Sequence, residues 1–190
     1  MTATAISTTP NATINGTYSI DPSHSSLGFI VRHAMITKVR GNFDDFAGAI
    51  SLDVDNPASS TADLTVQMAS IDTRNAQRDE HLRTNDFFDV PTFPTMTFKA
   101  TGVSVVSEGV YDVTGDLTIK DVTKPVTVKW EFTGANTDAF GNERVGFEGS
   151  TTINRSDFGV TWNAPLETGG VLVSEKVTIE LEISAIKDAS

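Results

Sequence analysis

The sequence predicts an all-β domain, and three observations carry that prediction. β-Branched residues dominate, with 26 Thr, 18 Val and 12 Ile against 8 Leu, and branching at Cβ suits a pleated surface better than a helix. Apolar and polar residues alternate along several segments: Val126, Val128, Trp130 and Phe132 interleave with Thr127, Lys129, Glu131 and Thr133. That is the period of a strand with one face in a core and one in water. Turn residues punctuate these segments at Asp55-Asn56-Pro57, Glu108-Gly109 and Phe140-Gly141-Asn142.

Residues 1–15 are polar and rich in Thr and Ala. They lack the basic region and the apolar stretch of about 7–15 residues that mark a signal peptide. They read as the disordered tail of a cytoplasmic protein; a periplasmic or secreted protein whose signal has been removed would read the same way. Strands are expected at 16–20, 25–34, 39–53, 62–71, 95–106, 109–120, 125–134, 143–154 and 171–186, the first of them short. Within 109–120, Val113, Leu117 and Ile119 share the apolar side with Gly115. In the last segment Val171, Val173, Val177, Ile179, Leu181, Ile183 and Ala185 oppose Lys176, Thr178, Glu180, Glu182 and Ser184, with Glu175 the one break. Regularly spaced strands joined by turns make a sandwich or a barrel. Composition never shifts along the chain, so residues 16–187 form one domain.

Residues 73–85, TRNAQRDEHLRTN, depart from the β pattern. Only Ala76 and Leu82 are apolar, so a short helix here, capped by Asp72 or Thr73, belongs on a rim or across an opening. The following DFFDVPTFP sets Phe87, Phe88 and Phe93 around Pro91 and Pro94. It reads as a stiff aromatic loop.

Charge and composition narrow the function. Lys plus Arg is 14, Asp plus Glu is 25, and the net charge is −11. Such a chain repels phosphate backbones and anionic membranes, so no broad nucleic-acid face is expected. The absence of Cys removes disulfide and thiolate chemistry. No apolar run approaches about 20 residues, so no stable membrane insertion is expected.

The three histidines are His24, His33 and His81, and the chain contains no metalloprotease, nucleotide-binding or nucleophile-elbow motif. Asp79 and His81 lie two apart on the expected helix, which turns them to different faces. His33 continues the face of Leu27, Phe29 and Val31. If that face points inward, His33 is a polar group in an apolar interior, either satisfied within the core or orienting a ligand's polar end. Arg155-Ser156-Asp157-Phe158-Gly159 reads as a bulge or tight turn with a local Arg–Asp pair.

YSIDPSHSSLGFIVRH (18–33) followed by KVRGNFDDFAGAI (38–50) resembles the opening of the YceI-like domain. SIDTRNAQRDEHLRTNDFFDV (70–90), GDLTIKDVTKPV (115–126) and INRSDFGV (153–160) resemble its later motifs, in the family's order, and the match spans Gly16 to Lys187. The resemblance implies a bacterial, eight-stranded antiparallel lipocalin-like barrel with a short helical segment near its mouth. It also implies a binding protein, not an enzyme, that holds a long isoprenoid chain for transport, storage or stress protection. The chain would be the tail of a polyprenyl phosphate, a polyprenyl pyrophosphate or a quinone. Most members look exported, and the amino terminus here departs from them.

On that reading Leu27, Phe29, Val31, His33, Phe43, Phe98, Val128, Trp130, Phe132, Phe147 and Ile179 line a tunnel, and a single bulge would flip any strand beyond it. Each methylene buried there contributes about 0.8 kcal/mol. Arg78, His81 and Arg155 are the head-group candidates, and no metal or cofactor beyond the lipid is expected. Two rivals stand beside this reading. One is a lipid hydrolase using Asp79 and His81 with His24 or His33; the other is a protein-binding domain presenting the Phe87–Pro94 loop. Thr-rich outer faces also suit a homodimer.

Overall fold

Each alternating segment forms a strand. The computed structural model describes residues 12–190. Its strands are β1 (Gly16–Ile20), β2 (Ser26–His33), β3 (Thr37–Phe43), β4 (Phe46–Leu52), β5 (Thr61–Gln67) and β6 (Ile71–Asp72). After α1 (Ala76–Arg83), the one α-helix among the described residues, come β7 (Thr95–Ser107), β8 (Val110–Ile119), β9 (Val122–Thr137), β10 (Glu143–Asn154) and β11 (Lys176–Lys187).

The first six segments are three interrupted staves. β1 and β2 both pair with β11, β4 and β3 pair with β1 and β2 in turn, and β5 and β6 pair with β4 and β3. β5 then leads through β7, β8, β9 and β10 back to β11. The result is a closed, antiparallel, eight-stranded barrel, and closure removes the unpaired edges that an open sheet would expose. The upper rim carries the turn at 34–36, α1, the loop that follows it, the turn at 120–121 and the long connection 155–175. The lower rim carries residues 12–15, the loop 53–60 and the turns at 108–109 and 138–142.

Several boundaries differ from those expected. The segment 39–53 breaks at Asp44-Asp45, and 62–71 breaks at the 3₁₀ turn Met68–Ser70. The last strand begins at Lys176 instead of 171, because Val171 and Val173 belong to the rim connection and make only isolated bridges to Pro165 and His33. α1 is capped by Asn75, whose side chain accepts from the Arg78 N–H, and not by Asp72 or Thr73. Residues 1–11 of the expected tail lie outside the described residues. Within 12–15 the chain is already built into the domain: Ile14 is buried, and Asn15 accepts from the Val54 N–H.

Of the bulges at Thr101, Val106 and Thr133, the first and last set which residues face inward. Thr101 is an extra residue against β8 and Thr133 an extra residue against β10. Inward positions therefore shift from Met96 and Phe98 to Val103 along β7, and from Phe132 to Ala135 along β9. The interior is not filled evenly. Near the lower rim Ile14, Tyr18, Phe132, Val145 and Ala185 form a solid cluster. Near the upper rim Phe87, Leu117, Ile119, Phe158 and Val160 form another. Outside the lower cluster, Arg144 donates to Asp138 at 2.7 Å and to Asp21 at 2.8 Å, tying the 138–142 turn to the break between β1 and β2. Hydrogen bonds from Ser23 and Arg144 hold the Asp21 carboxyl well below the usual carboxylate range, and Arg144 and Asn142 do the same for Asp138.

Candidate functional site

The inward faces enclose a cavity of ≈ 450 Å³, within the range of small-molecule sites. Alternation places its walls. Leu27, Phe29 and Val31 on β2, Phe43 on β3 and Phe98 on β7 line it. So do Val128 and Trp130 on β9, Phe147 on β10 and Ile179 on β11. Phe132 does not. It is buried in the lower cluster with its ring centroid 5.5 Å from that of Phe147, its direct cross-strand partner.

Glycine makes the walls thin enough to leave space. Phe29 faces Gly41 and Trp130 faces Gly149 across the ladder, and Phe98 lies over Gly115. A Cβ at any of these three glycines would overlap the ring above it. The rings therefore lie against the wall where a bulkier neighbour would drive them toward the axis. The signal for this was a glycine on the apolar side of an alternating strand.

The upper end is covered by α1 and its loop, held by polar contacts and by Leu82, Phe87 and Phe88 packed into the upper cluster. Asp79 is buried and accepts from the backbone N–H and the hydroxyl of Thr73, at 2.9 and 2.6 Å. Arg78 donates from Nε to Thr73 Oγ1 and from Nη2 to the Thr73 carbonyl. His81 Nε2 lies 2.7 Å from Asp86 Oδ2, and its ring packs edge-on against Phe87 and Trp162. His81, Leu82, Phe87 and Phe88 face the cavity.

These bonds decide the remaining expectations. Asp79 and His81 are bound into separate pairs, and His24 pairs with Asp21 in the break between β1 and β2. They do not assemble the hydrolase unit. The Phe87–Pro94 loop presents no fully exposed ring: Phe87 is 6% exposed, Phe88 lines the cavity and Phe93 is half-buried. His33 lines the mouth, but its strand ends at the rim and the residue is exposed, so it is not a polar group sunk in the core.

Arg155 is 5% exposed and all five of its N–H groups are engaged. They go to the carbonyls of Val160, Trp162, Val173 and Ser174 and to Glu175. Its ion partner is thus Glu175 and not Asp157. Burial pushes its guanidinium below the ordinary value, opposed by Glu175. Arg155 pins the connection 155–175 and has no donor left for a head group. Arg78 remains the basic residue facing the cavity from α1. Among the described residues no group of three or more His, Asp or Glu could hold a metal ion, and no helix is long and apolar enough to cross a membrane.

Known proteins resemble this chain in sequence and fold. The UPF0312 protein of Ectopseudomonas mendocina is 42% identical over 146 residues, 76% of this chain and 76% of that protein. The UPF0312 protein of Vibrio parahaemolyticus is 39% identical over 172 residues, 90% of this chain and 87% of that protein. Among solved structures, BcnA of Burkholderia cenocepacia superposes with a TM-score of 0.76 at 26% identity, covering 87% of this chain and 98% of that one. A polyisoprenoid-binding domain from Saccharophagus degradans superposes with a TM-score of 0.70 at 18% identity, covering 90% of this chain and 98% of that one, and shares the fold. The model of the YceI-like domain matches residues 18–185. The chain therefore belongs to the YceI-like family.

Proposed function

We propose that this protein carries a long isoprenoid chain inside the barrel, as the tail of a polyprenyl phosphate, polyprenyl pyrophosphate or quinone, for transport, storage or stress protection. The observation that carries the reading is the cavity itself. Its apolar lining runs from Trp162 and Val173 near the upper rim to Leu52 and Tyr111 near the lower one. Such a cavity takes up hydrocarbon by burial alone, at about 0.8 kcal/mol per methylene. The binding-domain architecture of the family, and the polyisoprenoid-binding domain that shares the fold, support a lipid as the cargo.

Charge orients the cargo. Arg32, His33, Arg78 and His81 border the cavity near the upper rim, whereas Asp53 and Asp63 border it near the lower one. An anionic head group belongs at the upper end beside Arg78, with the tail running downward. Native mass spectrometry of protein purified without detergent tests this: a fraction carries the added mass of an isoprenoid lipid, and stripped protein takes up farnesyl pyrophosphate. Protein that retains no lipid and takes up none would exclude a carrier role.

A further inference from the structure

The upper rim ends in a turn that breaks a local rule. His33 to Ile36 closes β2 onto β3 with the Ile36 N–H donating to the His33 carbonyl at 3.0 Å, and its two central residues, Ala34 and Met35, have φ of 51° and 63°. Turns with two left-handed residues favour Asn-Gly or Asp-Gly, because a Cβ disfavours that conformation. Here alanine and methionine occupy it, and the turn points apolar side chains at water: Met35 is 58% and Ile36 75% exposed. Val171 on the neighbouring connection is exposed as well, Gly170 lies against Met35, and the Ala34 N–H donates to the Leu172 carbonyl. Two mouth segments thus share one apolar tip.

The charge beneath that tip opposes the charge of the whole molecule. Residues 32–40 carry Arg32, Lys38 and Arg40 and no acid, in a chain of net charge −11. Arg40 shares a long, exposed contact of 3.6 Å with Glu180, and acids elsewhere on the upper rim, Asp157, Glu167 and Glu175 on the connection and Glu80, Asp86 and Asp89 on α1 and its loop, lie outside the hairpin. The lower-rim segments 53–60, 108–109 and 138–142 carry Asp53, Asp55, Glu108 and Asp138 and no Lys or Arg. An anionic surface therefore repels the lower rim and accepts the hairpin.

We propose that the β2–β3 hairpin tip, with Val171 beside it, docks on an anionic lipid surface and sets the mouth of the cavity against the bilayer. Exposed apolar side chains over a cationic collar are the pattern of reversible interfacial binding, which takes both signals together. The net negative charge contributes by selecting the mouth-first approach. Contact there would let an isoprenoid tail pass between membrane and cavity without crossing water. That purpose rests on the carrier reading; the docking itself does not.

Co-sedimentation of the full chain with phosphatidylcholine vesicles, with and without about one third phosphatidylglycerol, tests the proposal. Wild type binds the anionic vesicles, raised salt weakens the binding, and Met35→Ser/Ile36→Ser lowers it about tenfold. A second variant guards against a folding artefact: Ala34→Asn/Met35→Gly installs the residues the turn favours, so its Tm rises while its vesicle binding falls. Farnesyl pyrophosphate uptake from water is unchanged in both variants, since neither touches the cavity wall. Absent binding to anionic vesicles, equal binding to neutral ones, or binding that both variants retain overturns the docking surface. Absent farnesyl uptake with vesicle binding intact overturns the carrier reading and leaves docking standing.

Discussion

Two neighbouring rows on the same pair of strands have opposite outcomes. Phe132 on β9 faces Phe147 on β10, and the two rings close a solid corner at the lower end, with Phe147 at the edge of the cavity. Two residues further up, Trp130 faces Gly149, and the barrel is hollow. Both rows are apolar and both point inward, so binary patterning treats them alike. The difference lies in the partner. Aromatic against aromatic completes a core, whereas aromatic against glycine papers a wall and leaves the axis open.

The solid row is where stability concentrates. Phe132 is 2% exposed among Ile14, Tyr18, Val145 and Ala185. Replacing a buried Phe with Ala costs about 3–5 kcal/mol through lost burial and the void left behind. Phe132→Ala should therefore lower Tm by about 10 °C or more. Lipid uptake per folded molecule should stay near that of wild type, because Phe132 does not line the cavity. A loss of uptake that exceeds the loss of folded protein would break the separation between the two rows.

The hollow row should respond the other way. At Gly149 an added Cβ overlaps the Trp130 ring, so in Gly149→Ala the indole swings into the cavity. Overpacking of this kind costs about 1–3 kcal/mol. The occluded space should weaken isoprenoid binding roughly tenfold, the scale of one methylene-sized misfit. Titration with a fluorescent isoprenoid reads the second effect and a melting curve the first. Unaltered affinity would mean that the tail does not pass beside Trp130.

This contrast also marks what the residues disclosed before folding. Alternation from Leu27 to Val31 and from Val126 to Trp130 identified the inward faces, since a period of two is local. The hollow was not local. Gly115 stood visibly on an apolar face, but its consequence depends on Phe98 in the adjacent strand. Phe132 was placed on the cavity wall because its pairing with Phe147 is a matter of register across strands. Thr101 and Thr133 carry no mark distinguishing a bulge among 26 Thr. Arg155 reads as one half of a local Arg–Asp pair and as a head-group candidate because the carbonyls that consume it lie 5 to 19 residues away. The expected strand 39–53 runs through Asp44-Asp45, although two adjacent acids stand where the stave breaks.

The smallest expected effect tests how the solid corner handles its one polar atom. Tyr18 is 1% exposed, and its hydroxyl donates to the Ile14 carbonyl at 2.8 Å. Tyr18→Phe keeps the ring and removes that bond, which costs about 1 kcal/mol. Burial, with Glu143 nearby, raises the Tyr18 pKa above the ordinary value of 10.0. The folded state thus holds the proton more tightly than the unfolded one, and the stability this contributes is present below pH 10 and lost as pH rises through the folded value. Wild type should weaken above pH 10, and Tyr18→Phe should weaken less, so the gap between them narrows as pH rises. Tyr111, half-buried at the same end and raised in the same direction by burial, keeps part of the alkaline decline in the variant. Melting curves at pH 7 and pH 11 give both numbers. A gap that stays constant across that range would place the Tyr18 hydroxyl in contact with water, and the lower corner would then be packed around a hydrated group instead of sealed.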